Sequence, residues 1–260
     1  MSSRSRIAGL LLDIDGTLLV SRQPVPGAAS TVGWLRERRL PFRFVTNTTT
    51  QSRKDLAAAL SGAGIEVDAA EILTAVAATA GYLRSHHPNA RVLLLSDAES
   101  IRDLEGVQLT EQEDADVVVI GGASELFTYS NLNRAFRAVM DGAALVGMHR
   151  SLYWRAASGL QMDGGAFLRA LEEASGREAV VCGKPAAAFF EEAARAVGQA
   201  PERLAMIGDD VRADVLAAQG AGLTGVLVRT GKFRPEDLDR GDVDHVIDSV
   251  ADLPDLLSAA

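Results

Sequence analysis

The sequence predicts an α/β protein whose parallel-sheet core is interrupted by a smaller α/β domain. Three observations carry that expectation. Apolar runs of strand length alternate with segments of helical spacing across short connections, the pattern of parallel strand-helix-strand units. Between about residues 78 and 178 the texture changes, and that stretch holds enough strand and helix material for a layer of its own. From Val180 the first pattern resumes, so residues 1–77 and 179–260 read as the core and 78–178 as the insert.

The first element is Leu10-Leu11-Leu12, an apolar run that ends in Asp13-Ile14-Asp15-Gly16-Thr17. Pro24 to Gly27 then punctuates a loop, and Ala28, Val32 and Leu35 give the next segment a helical face. Pro41 to Val45 reads as a second strand, closing at Thr46-Asn47-Thr48. A helix follows with Leu56, Ala59, Leu60 and Ala63 inward. In the middle of the chain, helical spacing from Glu71 to Ser85 leads to strands at Arg91–Leu95 and Asp116–Ile120. A helix from Asn131 to Met140, a strand at Ala144–Met148 and another at Leu152–Arg155 complete the insert. The last part reads as Val180-Val181-Cys182-Gly183-Lys184-Pro185, a helix to Val197, a strand at Leu204–Ile207 ending in Gly208-Asp209-Asp210, and a helix through Val211, Val215 and Ala218. Strands at Thr224–Val228 and His245–Ile247 precede a terminal helix.

Composition narrows the class of protein. Hydrophobic residues are 47% and charged residues 23% of 260, which suits a folded globular chain long enough for one large domain or two smaller ones. The formal charge of −9 argues against a general polyanion-binding surface, so nucleic acid is not an expected partner, and a chain that handles phosphate must recruit cations. Cys182 is the single cysteine, which excludes an internal disulfide; its apolar neighbours make it a core residue. Met1 to Arg6 carries positive charge, but the apolar run behind it meets Asp13 too early for a signal peptide. No stretch approaches the ~20 apolar residues of a membrane span. A cytoplasmic protein with no membrane partner is expected.

Chemistry concentrates where strands end. In a strand, residues two apart face the same side, so Asp13 and Asp15 converge at the glycine turn, and paired carboxylates are costly unless a cation joins them. Read alone, the same residues make an Asp-Gly hairpin turn. Thr46 alone reads equally well as a helix cap, Lys184 as a solvated lysine, and Asp209 or Asp210 as a cap. Their joint occurrence at four strand ends favours one crevice, because ligands of open parallel sheets bind outside the carboxyl ends of the strands. The set supplies what phosphoryl transfer requires. Asp13 is the expected nucleophile and Asp15 the acid and base. Asp13, the backbone carbonyl of Asp15 and Asp209 are the expected Mg²⁺ ligands. Thr46, the N–H of Asn47 and Lys184 would hold the phosphoryl group, with Asp214 and Asp210 behind them.

Asp13-Ile14-Asp15-Gly16-Thr17, Thr46-Asn47, Gly183-Lys184-Pro185 and Gly208-Asp209-Asp210 with Asp214 resemble the four ordered motifs of the haloacid dehalogenase (HAD) superfamily of phosphatases. The insert between the second and third motifs resembles the NagD-like subclass with a C2-type cap. Ser158-Gly159-Leu160 and Thr230-Gly231-Lys232-Phe233 look most like the group of phospholysine phosphohistidine inorganic pyrophosphate phosphatases and their hydrolase-domain-containing relatives. The resemblance implies a Rossmann-like core, an Mg²⁺-dependent phosphatase of small phosphorylated substrates, an aspartyl-phosphate on Asp13, and self-association as a homodimer or larger homo-oligomer. Thr48 departs from the pattern, since many relatives carry a second Asn there.

Other readings compete with this one. A non-catalytic phospho-ligand module would have lost the nucleophile or the lysine, and a phosphotransferase would differ only in its acceptor. Gly121-Gly122 is neither a dinucleotide nor a P-loop fingerprint. His86-His87 before Pro88 reads as a solvated helix end, and Tyr153-Trp154 as either a substrate-facing surface or packing. Lys232-Phe233-Arg234 reads as an edge of the crevice or as an ordinary surface loop.

Overall fold

The computed structural model describes residues 7–96, 98–112, 114–122, 125–156 and 159–259, with the side chains of 98–100 and 154–156 not described. Ser158 and the Met1–Arg6 segment lie outside the described residues. In chain order the elements are β1 (Gly9–Asp13), β2 (Leu19–Val20), β3 (Gln23–Pro24), α1 (Ala28–Glu37), β4 (Phe42–Thr46), α2 (Arg53–Gly62), β5 (Ile72–Thr74) and α3 (Ala75–His86). Then come β6 (Arg91–Leu95), β7 (Gln108–Thr110), β8 (Val117–Ile120), α4 (Tyr129–Met140), β9 (Ala144–Gly147), β10 (Tyr153–Ala156), β11 (Gly159–Met162) and α5 (Gly164–Ser175). The chain closes with β12 (Val180–Val181), α6 (Ala187–Val197), β13 (Leu204–Gly208), α7 (Ala217–Gly220), β14 (Thr224–Val228), β15 (His245–Ile247) and α8 (Leu253–Ala259).

Contacts divide the chain into two compact units. The first comprises residues 1–46, 53–73 and 184–260, the second 47–52 and 74–183. The insert is therefore longer at both ends than the expected 78–178, and packing gives the reason. Ala75, Val76, Ala80 and Leu83 of α3 join Val117, Val119 and Cys182 in one buried cluster, while Val180 and Val181 pair parallel with Val146 and Gly147. The β12 strand thus belongs to the insert's sheet and not, as its position after the change of texture suggests, to the core sheet.

The first unit is built on a six-stranded sheet of order β15-β14-β13-β1-β4-β5, with β1 paired parallel to both β13 and β4. A parallel strand covered on both faces needs an unbroken apolar run. The run Gly9–Asp13 is buried at all five positions, as is Leu204–Gly208. On one face Ala28, Val32 and Leu35 of α1 pack with Leu10, Leu12, Phe44 and Ile207. The edge strand β5 replaces the start of the helix expected from Glu71. Asp68 caps a short 3-10 turn over Ala69–Glu71, Ile72–Thr74 is extended and buried, and Thr74 Oγ1 then accepts the N–H of Ala77 to start α3.

The second unit has a five-stranded parallel sheet of order β12-β9-β8-β6-β7 and an antiparallel hairpin of β10 and β11. Alternate residues of β8 serve opposite faces, as the two-residue period of a strand requires. Val118 and Ile120 pack with Ala135 and Val139 of α4 and Leu168 and Leu171 of α5, whereas Val117 and Val119 pack with α3. Cys182 is buried in that second cluster, the core position expected of it. The ring of His86 stacks on Tyr82 at 4.3 Å. Among the described residues no helix is long and apolar enough to cross a membrane.

Candidate active site

Three neighbouring strands of the first unit, β13, β1 and β4, end side by side, which brings Asp209, Asp13 and Thr46 to one edge. Asp13 is the last residue of β1 and is 5% exposed. Beyond it the chain turns tightly. Leu18 and Leu19 N–H both donate to Ile14 O, and Gly16 N–H donates to Leu19 O at 2.7 Å. Gly16 has φ +95°, and a Cβ there would lie 1.8 Å from Asp209 Oδ2, so glycine is required both by the backbone and by the carboxylate beside it. The turn leaves Asp15 exposed, and Thr46 Oγ1 donates to its Oδ2 at 3.4 Å.

Lys184 is the charge centre of the site. Its Nζ donates at 2.6 Å to Asp13 Oδ1 and at 2.6 Å to Asp214 Oδ1, and all three side chains are buried. Asp214 reaches this position through a π-helical turn, Val211–Leu216, in which Asp210 O accepts from both Asp214 N and Val215 N. Single π turns of this kind re-aim side chains at functional sites. The sequence predicts an ordinary helix here; it runs as this turn and then α7. Gly208 leaves room for the result, since a Cβ there would meet the Asp214 carboxylate at 2.4 Å. Asp214 Oδ2 accepts from Asp210 N, and Asp210 Oδ1 caps the turn at the N–H groups of Arg212 and Ala213.

Asp209 is 1% exposed. Its Oδ2 accepts the N–H of Lys232 at 2.7 Å, while its Oδ1 is buried without a partner among the described residues. The residues that hold it in place include two whose part the sequence does not disclose. Thr230 Oγ1 donates to Gly16 O at 2.5 Å, and a Cβ on Gly231 would fall 2.1 Å from Asp209 Oδ2 and 2.5 Å from Gly16 Cα. The sequence marks them only as part of the resembling segment Thr230-Gly231-Lys232-Phe233, with nothing in it to indicate these contacts.

Electrostatics leave the cluster short of positive charge. Carboxylate oxygens of Asp13, Asp209 and Asp214 all lie within 4.8 Å of one another, and Lys184 is the ammonium in contact with them, with Lys232 acting on Asp209 from outside, so within the cluster negative charge exceeds positive by two if all ionise. Burial pushes the Asp13 carboxyl well above its usual range although Lys184 opposes the shift, and Asp214 and Asp209 add to it. Burial likewise raises Asp209. Burial works against the charge on Lys184, but Asp13 and Asp214 outweigh it and hold the ammonium above its ordinary value. An unpartnered buried carboxylate oxygen beside two uncompensated charges fits a hard dication with oxygen ligands.

The structure therefore brings Asp13, Lys184, Asp209 and Asp214 together, with Thr46 and Asp15 joined at the same edge. Asp15 is absent from the side-chain cluster; its expected ligand is the backbone carbonyl, and its carboxylate turns to Thr46. Asn47 follows Thr46 in the chain and is grouped with the second unit.

Comparison with known proteins agrees with this geometry. A haloacid dehalogenase-like hydrolase family model matches residues 10–110, and a HAD-like hydrolase model matches residues 181–253. The haloacid dehalogenase-like hydrolase domain-containing protein 2 of Bos taurus is 40% identical over 240 residues, 92% of this chain and 91% of that protein. The chain belongs to the haloacid dehalogenase-like hydrolases. This HAD protein is also 36% identical to the phospholysine phosphohistidine inorganic pyrophosphate phosphatase of Rattus norvegicus, over 97% of this chain and 95% of that one. Among solved structures, the p-nitrophenyl phosphatase of Archaeoglobus fulgidus superposes with TM-score 0.87 at 30% identity, covering 98% of this chain and all of that one. NagD from E. coli K-12 superposes with TM-score 0.85 at 27% identity, covering 95% and 98%. The HAD chain is thus a phosphatase of the NagD-like subclass, with the Rossmann-like core and inserted α/β unit of that group.

Proposed function

We propose that this HAD phosphatase is a Mg²⁺-dependent phosphoric monoester hydrolase that acts on a small phosphorylated substrate through a phospho-Asp13 intermediate. The observation that carries the proposal is Lys184, held at 2.6 Å from both Asp13 and Asp214, beside an Asp209 oxygen with no partner. Lys184 occupies Asp13 Oδ1, which leaves Oδ2 to attack phosphorus, and the ammonium opposes the upward push that burial exerts on that carboxyl. Asp15, exposed at the turn, protonates the departing oxygen and afterwards takes a proton from the water that cleaves the acyl-phosphate. The Thr46 hydroxyl and the next peptide N–H, that of Asn47, donate to the phosphoryl oxygens.

Asp13, Asp209 and the backbone carbonyl of Asp15 are the residues assigned to Mg²⁺, which when bound would offset the charge of the carboxylates and of the phosphoryl oxygens. Asp214 is assigned a supporting place behind them, its two oxygens accepting from Lys184 Nζ and Asp210 N. Substrate choice is assigned to the inserted unit as a cap, by likeness to the NagD-like subclass. Replacing Asp13 by Asn keeps the shape and removes the nucleophile. We expect Asp13→Asn to abolish hydrolysis of p-nitrophenyl phosphate in the presence of Mg²⁺; undiminished turnover would overturn the assignment.

A further inference from the structure

Asp209 also lines a concavity of the first unit, of about 320 Å³, walled by the chain leaving β13 and the chain leaving β14. Four of its eight lining residues are cationic, Arg212, Lys232, Arg234 and Arg240, in a protein whose formal charge is −9. Three lining residues are carboxylates; Asp209 faces the catalytic cluster described above, and the other two are engaged. Asp237 accepts from Arg240 Nε at 2.7 Å and from Arg234 N at 2.8 Å, which removes Arg240 from the free charge as well. Asp210 Oδ1 is taken by the N–H groups of Arg212 and Ala213, and its Oδ2 lies 3.6 Å from Lys232 Nζ. The guanidinium groups of Arg212 and Arg234, both on exposed residues, make no hydrogen bond or ion pair among the described residues. Two uncommitted planar forks, carried on the segments that follow two adjacent strands and flanked by the Lys232 ammonium on its Asp210 partner, match the chemistry that grips a tetrahedral oxyanion.

We propose that this concavity is a subsite for a phosphate-class oxyanion, gripped by Arg212 and Arg234 with Lys232 beside them. The oxyanion is either a second anionic group of the substrate or a free oxyanion; only the first case rests on the phosphatase reading above. Neither arginine belongs to the catalytic set, so the double variant R212A/R234A separates the two. Sulfate is titrated calorimetrically into the wild-type protein and the variant, and the expected result is the loss of one binding event, or its weakening by about tenfold, while any sulfate held near Lys184 is retained in both. KM is then measured for p-nitrophenyl phosphate and for a sugar bisphosphate. A roughly tenfold rise for the bisphosphate alone assigns the subsite to the substrate. A change in sulfate binding with an unchanged KM ratio assigns it to a free oxyanion. Identical titrations and identical KM ratios would overturn the proposal. Should the wild-type protein turn nothing over, the sulfate titration still decides the subsite, so its failure and that of the proposed function remain distinct. Matching unfolding midpoints without sulfate establish that the variant is folded.

Discussion

Lys184 is the residue on which the site's charge balance depends. A buried ammonium between two carboxylates is weak evidence for stability as a whole, because desolvation offsets most of the attraction, yet removing one partner strands the others. Lys184→Met keeps the bulk and deletes the charge, leaving Asp13 and Asp214 buried with no cation between them. Without divalent metal the variant should be less stable than wild type by about 3–5 kcal/mol, read by urea unfolding. An unchanged midpoint would show that the pair is solvated and the cluster open. The residues that carry this argument were legible because their types are rare in such places: carboxylates and a lysine at the ends of apolar runs. Thr230 and Gly231 were not, since their contribution is a hydrogen bond to Gly16 O and an absent Cβ, neither of which has a signature in composition or spacing.

Among the elements, the buried strands announced themselves and the short or crowded ones did not. The runs at β1, β13 and β14 are continuous and apolar, so length and boundaries followed from the letters. By contrast, β5 is three residues between a 3-10 turn and a helix, and its pairing at the sheet edge, not its own sequence, makes it a strand. The sequence does not announce helix α5, because it opens with Gly164-Gly165, ordinarily a break. Backbone proximity explains the pair: a Cβ on Gly164 would lie 1.6 Å from Gly121 O, and one on Gly165 2.4 Å from Arg150 C. Gly121-Gly122 in turn is a packing surface for that helix rather than a nucleotide motif. Gly164→Ala should therefore destabilise the protein despite the better helix propensity of alanine. The loss is expected to be about 1–3 kcal/mol, because neither backbone can yield as a side chain would. A thermal midpoint at or above wild type would refute the close approach.

At the scale of the molecule, stability should follow pH through a group distant in sequence from the catalytic set. His149 is 4% exposed in the second unit, and its Nδ1 accepts the N–H of Ser151 at 3.2 Å, so the neutral ring carries its proton on Nε2. Burial lowers its pKa, and the Asp163 carboxylate, 3.7 Å from Nε2, opposes the shift only in part. A base with a depressed folded pKa binds fewer protons folded than unfolded. Its contribution is then complete above the unfolded value, ~6.5, and declines as the pH falls below it, by at most about 1.4 kcal/mol per pH unit. Urea midpoints between pH 7.5 and 5.5 should fall, and more steeply in wild type than in His149→Gln; parallel curves would remove His149 as the cause.

The same linkage applies to metal across the whole chain, and here the proposed function makes a demand that activity assays do not test. The unfolded polypeptide has no arrangement that brings Asp13 and Asp209 together, since they are joined only by the pairing of β1 with β13. An ion held by both must therefore stabilise the fold, by about 2.7 kcal/mol at a concentration one hundred times its dissociation constant. Adding MgCl₂ to protein freed of metal with EDTA should raise the unfolding midpoint in proportion to the logarithm of concentration. Asp209→Asn should flatten that dependence while leaving the Lys184 contacts to Asp13 and Asp214 in place. A midpoint that ignores Mg²⁺ in the wild-type protein would mean that Asp209 Oδ1 is satisfied by something other than a dication, and the excess charge of the cluster would then have to be relieved by protonation of Asp13, whose carboxyl burial already pushes upward.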